Sequence, residues 1–128
     1  MPALFWITGL SGTGKTTLGK KLYEILKKEY FNLVFLDGDI LREEIYTTEN
    51  DKNSHSRESR LSLSKKYIKL CKLLYDQDLI VIISTISLFN EVHQLNKNLF
   101  SNYCDILLDI DIETLRKRDS KNLYKNFE

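Results

Sequence analysis

Four short runs of apolar residues interrupt an otherwise mixed chain: residues 3–8 (ALFWIT), 33–36 (LVFL), 79–86 (LIVIISTI) and 105–110 (DILLDI). They are rich in β-branched and aromatic side chains and lack the two-residue alternation of a strand with one wet face. Such runs fit strands of a parallel sheet covered on both faces. Between the first two, Leu18, Leu22, Ile25 and Leu26 recur at helical spacing, which predicts a helix over residues 15–29 with lysines on its outer face. Between the second and third, Leu63, Tyr67, Leu70, Cys71 and Leu74 trace a second apolar stripe over residues 59–76. Strand alternating with helix is the pattern of a doubly wound α/β fold, three layers deep. Residues 47–59 are polar with no apolar period, and read either as a loop ordered by ligand or as a plain solvated linker.

Composition narrows the partners. The 128 residues suffice for one domain, residues 1–128, and the net charge of +1 gives no overall field favouring nucleic acid or a membrane surface. The longest aliphatic run, Leu79 to Ile83, is far too short to span a bilayer. Cys71 and Cys104 lie in apolar segments without metal-like spacing, and no signal peptide precedes the first strand. A cytoplasmic protein with a small-molecule partner is therefore expected.

The candidate chemistry begins where the first strand ends. Gly9, four further residues, then Gly14, Lys15 and Thr16 satisfy G-x-x-x-x-G-K-[ST] between a predicted strand and a predicted helix. Phosphate oxygens need several converging donors, and glycine lets successive backbone N–H groups turn inward at a helix N-terminus. Gly12 and Gly14 supply that freedom, Lys15 a point charge for the β- and γ-phosphates, and Thr16 a magnesium ligand. Thr17 adds a donor to the α-phosphate. The expected ATP-binding set is thus Gly9, Ser11, Gly12, Thr13, Gly14, Lys15, Thr16 and Thr17; the alternative is a glycine-rich turn without a ligand.

Asn96-Lys97-Asn98 lacks the Asp of a guanine-reading motif, and the large bodies of motor and transport ATPases find no room here. Instead the second strand runs into FLDGDILR. Asp37 and Asp39 then stand at the carboxyl end of a strand, where open α/β sheets bind ligands, with Gly38 between them to let the backbone approach a substrate. Two carboxylates facing a triphosphate can hold Mg²⁺ and orient an incoming hydroxyl, a role assigned first to Asp37. An Asx turn ending the strand is the alternative. Arg42, one turn beyond Asp39, either grips an anionic acceptor or forms a surface ion pair with Glu43 or a neighbour. The basic run Arg116, Lys117, Arg118, Lys121 and Lys125 reads as a lid over the transferring phosphate, or as a solvated charge run.

LFWITGLSGTGKTTL, FLDGDILR, DLIVIISTIS and LRKRDSKNLYK, in this order and spacing, resemble the adenylyl-sulfate kinases, P-loop enzymes that move the γ-phosphate of ATP to the ribose 3′-hydroxyl of adenylyl sulfate. The resemblance implies ATP and Mg²⁺ as cofactors and a sheet ordered 2-3-1-4. It implies Asp37, Asp39 and Arg42 serving metal and acceptor, and Ser87 beside the transferring phosphate. Arg118 would belong to the ATP lid, and Lys121, Leu123 and Tyr124 would border the acceptor. Catalysis would rest on Lys15, Asp37, Asp39 and Ser87; Thr16 and Asp37 would hold the metal.

The acceptor half departs from the family. Where a Gly-Phe-Ser precedes an Asp-Arg-x-x-Asn run, this chain reads NSHSRESRLSLSKK; Arg60 keeps the arginine, and Leu63 stands near the expected asparagine. Ile-Ser-Pro-aromatic-Arg becomes ISLFN, with Leu88 and Asn90 replacing Pro and Arg. This pattern resembles a branch of these kinases associated with surface-polysaccharide modification, whose acceptors include cytidine diphosphoramidate. His93 and Asn96 are acceptor-side candidates there, against the more ordinary reading of both as helix-surface residues. Family members also continue past Leu-Tyr-Lys with a stacking aromatic, a fifth strand and a closing helix that have no counterpart here, which would leave the fourth strand an exposed edge. Two readings stay open: a nucleotide-linked anion kinase, and a nucleotide-binding remnant without transferase activity. Pairing into a homodimer is left undecided.

Overall fold

The computed structural model describes residues 1–10, 12–46 and 56–108. Along the chain lie β1 (Ala3–Gly9), α1 (Lys15–Leu26), β2 (Leu33–Asp37), α2 (Gly38–Glu44), α3 (Arg57–Tyr75), β3 (Ile80–Thr85), α4 (Asn90–Leu99) and β4 (Tyr103–Leu108). The four strands form one parallel sheet in the order β2-β3-β1-β4, the order the resemblance implied.

Register sorts the side chains onto two faces. Leu4 pairs with Val81 and Trp6 with Ile83, and these four pack with Tyr67, Ile68, Cys71 and Tyr75 of α3 and with Val92 and Phe100 around α4. On the opposite face Phe5 and Phe35 flank Ile82, and there α1 docks. Gly19 makes that docking close: a Cβ on it would stand 2.6 Å from Cε1 of Phe35. Leu41 brings the short α2 onto the α3 face.

The central strand β3 is buried at every position, as its unbroken apolar run predicts. Fully burying side chains such as Val81, Ile82 and Ile83 contributes roughly 1.5–3 kcal/mol each. The edges differ from the expectation of a sheet covered throughout. β2 is half-buried along its length, and β4 exposes Cys104, Asp105 and Leu107. The fourth strand also begins two residues before the predicted run, because Tyr103 already pairs with Leu4. Both cysteines lie in apolar segments, yet Cys104 is exposed whereas Cys71 is buried. In α1, Ile25, part of the predicted stripe, is exposed, and the buried positions are Lys15 and Gly19. α3 starts at Arg57 because the Ser56 hydroxyl accepts a hydrogen bond from the Ser59 amide at 3.1 Å.

Candidate active site

The turn between β1 and α1 has the backbone that its glycines predict. Gly12 and Gly14 adopt φ of 87° and 91°, left-handed values that a side chain would strain. Gly14 caps α1 with no side chain accepting from the first-turn amides, so those N–H groups open toward the loop. The loop folds back on itself: the Thr13 hydroxyl and amide both donate to the Leu10 carbonyl, at 2.8 and 3.2 Å. A Cβ on Gly9 would come within 2.6 Å of Thr13 Oγ1, so the return is tight. Lys15 is 6% exposed, its stem held within the turn; Thr16 is half-buried and Thr17 exposed. Thr13, expected among the nucleotide ligands, has its hydroxyl committed to the loop's own carbonyl. Ser11 lies outside the described residues.

Asp37 ends β2 opposite Ser84, which in turn stands opposite Ile7 of β1. Residues in one row of a parallel sheet share a face, and this row belongs to the face on which α1 packs. With β3 between them, Asp37 and Ile7 lie about two strand spacings apart, ~10 Å. Asp37 Oδ1 also accepts from the Asp39 amide at 2.9 Å, so the Asx-type cap expected as the alternative reading is present and starts α2. Gly38 serves a different purpose from the predicted approach to substrate: its Cα lies against β3, where a Cβ would stand 2.4 Å from the Ser84 carbonyl oxygen.

Asp39 diverges from Asp37. It lines a cavity of about 20 Å³, the size of one water molecule, with Arg42, Arg60, Ser64, Tyr67 and Thr85 on the α3 side of the sheet. Arg42 approaches Asp39 at 4.0 Å and Glu43 at 3.7 Å, so it both lines the cavity and makes the ion pairs weighed for it. Tyr67 donates from its hydroxyl to the Gly38 carbonyl at 2.8 Å, tying α3 to the turn that carries both acids. Burial pushes the Tyr67 phenol well above its ordinary range, an effect that Arg42 partly opposes, so it stays a neutral donor. Tyr67 entered the sequence reading only as core; a tyrosine in a buried helix stripe is itself a signal of a hydroxyl seeking a partner.

Ser87 is 4% exposed and its hydroxyl lies 2.7 Å from that of Ser64. Ser64 donates to the Arg60 carbonyl at 2.8 Å, which uses its only proton. Ser87 is therefore the donor in the serine pair, which leaves acceptor capacity on its oxygen. Neither residue of the helix-surface pair behaves as the ordinary reading had it. Asn96 is fully buried and donates to the Tyr103 hydroxyl at 3.3 Å, while its Oδ1 has no partner among the described residues. His93 Nδ1 lies 2.7 Å from Asp105 Oδ2, an ion-pair distance without the alignment of a hydrogen bond. His93 lines a cavity of about 350 Å³ between α4 and β4, together with Tyr103, Asp105 and Ser87 among others. Arg118, Lys121, Leu123 and Tyr124, with the whole basic run, lie outside the described residues, as do residues 47–55.

No group of three or more His, Cys, Asp or Glu among the described residues is placed to hold a metal by itself. A divalent cation at this site would need oxygens from a bound phosphate as well, and the hard oxygen donors Thr16 and Asp37 suit magnesium in that arrangement. No helix of the described residues is long and apolar enough to cross a membrane.

The chain is similar to proteins of known activity. The sequence model of the family Adenylylsulphate kinase matches residues 1–128. A cytidine diphosphoramidate kinase from Campylobacter jejuni is 43% identical over 123 residues, 96% of this chain and 69% of that protein. An adenylyl-sulfate kinase from Marinobacter nauticus is 32% identical over 126 residues, covering 97% of this chain and 61% of the relative. The APS kinase of Mycobacterium tuberculosis, solved in complex with AMPPNP and APS, superposes with a TM-score of 0.81 at 25% identity, over 96% of this chain and 71% of that one. The chain thus spans about two thirds of the length of such relatives. With the glycine turn, the strand order and the Asp-Gly-Asp segment all in place, the chain belongs to the adenylyl-sulfate kinase family of P-loop phosphotransferases.

Proposed function

We propose that the protein transfers the γ-phosphate of ATP to the ribose 3′-hydroxyl of a nucleotide-linked anion, either adenylyl sulfate or a related molecule such as cytidine diphosphoramidate. The supporting observation is that Asp37 stands at the carboxyl edge on the α1 face of the sheet, about two strand spacings from Ile7, which lies two residues before the phosphate loop begins at Gly9. The 43% identity to a cytidine diphosphoramidate kinase favours the second acceptor.

In this reading the open amides of α1 and the Lys15 ammonium hold the β- and γ-phosphates and neutralise charge that spreads over the equatorial oxygens during transfer. Asp37 accepts a hydrogen bond from the attacking hydroxyl through the carboxylate oxygen not committed to the Asp39 amide. Phosphoryl transfer asks for position more than for a strong base, so an ordinary carboxylate suffices. A magnesium ion held by Thr16 and Asp37 would screen the phosphate oxygens. Arg42 and Arg60 on the α3 side attract the acceptor's anionic group, and the Ser87 oxygen accepts from a donor on it.

Incubation with Mg·ATP and a panel of adenylyl sulfate, cytidine diphosphoramidate and their analogues, read by phosphorus NMR, identifies product and position. Lys15→Ala and Asp37→Asn should each lower turnover by at least a hundredfold. ATP binding without transfer to any acceptor would leave only the nucleotide-binding reading.

A further inference from the structure

Beyond the small Asp39–Arg42 cavity lies a larger one of about 480 Å³, within the range that encloses a small ligand. Arg60 and Ile86 line both, so the two are compartments of one cleft. The outer compartment is built from the first turn of α3 and the segment entering α4. Arg57 lies over the Phe89 ring, its guanidinium carbon 5.2 Å from the centroid, and its Nη2 reaches both carboxylate oxygens of Glu91 at 3.4 Å. Aromatic ring, guanidinium and carboxylate thus meet at the wall of a cavity whose inner end carries arginines.

The stability of the fold does not call for this arrangement. The Arg57 and Glu91 side chains are 66% and 50% exposed, and exposed pairs contribute little, about 0–1 kcal/mol. At 3.4 Å the hydrogen bonds are also long for a charge-assisted pair, so a better-placed partner can displace them. What the pair offers a ligand is a carboxylate that can only accept, next to a guanidinium that can only donate.

Resting on the kinase reading above, we propose that Glu91 and Arg57 read the base of the acceptor nucleotide and select cytosine. Cytosine presents an amino donor, a ring-nitrogen acceptor and a carbonyl acceptor along one edge. The amino group donates to Glu91, as carboxylates do to cytosine N4, and Arg57 donates to the two acceptors. Adenine offers the amino donor and one acceptor, leaving a guanidinium N–H unanswered. Uracil and guanine present a carbonyl where the amine should be, and that oxygen meets the Glu91 carboxylate. The base lies edge-on to the Arg57 guanidinium at the cavity wall that Phe89 completes, and the linked anion reaches inward to Arg60 and Arg42.

The test is equilibrium binding of CMP, AMP and UMP by calorimetry, with a non-hydrolysable ATP analogue present, to the wild type, Glu91→Gln and Arg57→Gln. The wild type should bind CMP about tenfold more tightly than UMP or more. Glu91→Gln, whose amide can donate to a carbonyl, should lower the CMP-to-UMP ratio, the remaining preference coming from uracil N3–H facing the Arg57 donor, and Arg57→Gln should weaken CMP. Equal wild-type affinities, absence of CMP binding, or an unchanged ratio in Glu91→Gln overturns the assignment. Transfer to an adenylyl or uridylyl acceptor in preference would sink the base reading and leave the kinase reading intact. Cytosine selectivity that depends on Glu91, without transfer to any acceptor, would do the reverse.

Discussion

Gly38→Ala probes the joint between the sheet and the candidate site. The added Cβ would lie 2.4 Å from the Ser84 carbonyl oxygen and 3.2 Å from Cα and Cβ of Thr85, far inside van der Waals contact at the first of these. Those atoms belong to β3, whose backbone is hydrogen-bonded to β1 on one side and β2 on the other and cannot withdraw. The turn must move instead, taking with it the Gly38 carbonyl that Tyr67 holds at 2.8 Å. Overpacking of this kind costs about 1–3 kcal/mol, and a strained buried hydrogen bond adds up to roughly another 1–2 kcal/mol. The expected total is about 2–5 kcal/mol. Gly14→Ala is the control, since no atom of the described residues lies within 4 Å of its Cβ but φ is +91°. Its cost is the left-handed backbone alone, about 1–2 kcal/mol. Urea unfolding followed by circular dichroism reports both, provided the m-values agree. A Gly38→Ala protein within 0.5 kcal/mol of wild type, or more stable than Gly14→Ala, would refute the claim that β3 and the Asp37–Asp39 turn are in hard contact.

Tyr67→Phe leaves the Gly38 carbonyl buried without its donor and should cost about 1–2 kcal/mol in the same assay; a neutral result would mean that water replaces the phenol. Alkaline titration should show a loss of stability that begins near pH 9. Burial pushes the Cys71 thiol from an ordinary value of 9.0 up to about 12, and the Tyr103 phenol up to about 12 from 10.0. The unfolded chain releases these protons first, so stability is complete below pH 9 and falls as pH rises toward 12, by up to about 1.4 kcal/mol per pH unit for each fully buried group. Tyr103, only half-buried, contributes less. Cys71→Ala should move the onset up toward pH 10, and an unchanged onset would count against the assignment. With a thiol reagent at neutral pH, Cys104 should react at once and Cys71 only on unfolding; two fast thiols would contradict the packing of α3.

Local chemistry made the phosphate loop legible. Glycine is favoured where φ is positive, and Gly12 and Gly14, at 87° and 91°, occupy such positions. Strands β1 and β3 were visible because a run without alternation has no solvated face to support it, and the burial of β3 at every position agrees. The short α2 was hidden because its seven residues carry too few apolar positions to show a period; α4 was legible as a helical stretch, but its polar Asn96 concealed that this residue is buried. Spacing also could not tell that Asp37 faces α1 while Asp39 turns to Arg42 on the other side. Two residues apart in sequence, their directions are decided by where the strand stops and the helix starts, and that boundary is set by the contact of Gly38 with β3.

The amino-acid sequence by itself determined the fold class, the turn that receives phosphates and the side of the sheet where chemistry is to be sought. These follow from backbone freedom and apolar period, both properties of neighbours along the chain. Only the tertiary structure decided which residues share a cavity. Ser87 meets Ser64 across 23 positions and Arg57 meets Glu91 across 34, because α3 and α4 pack on the same face of the sheet, and no local pattern encodes the meeting of residues so far apart.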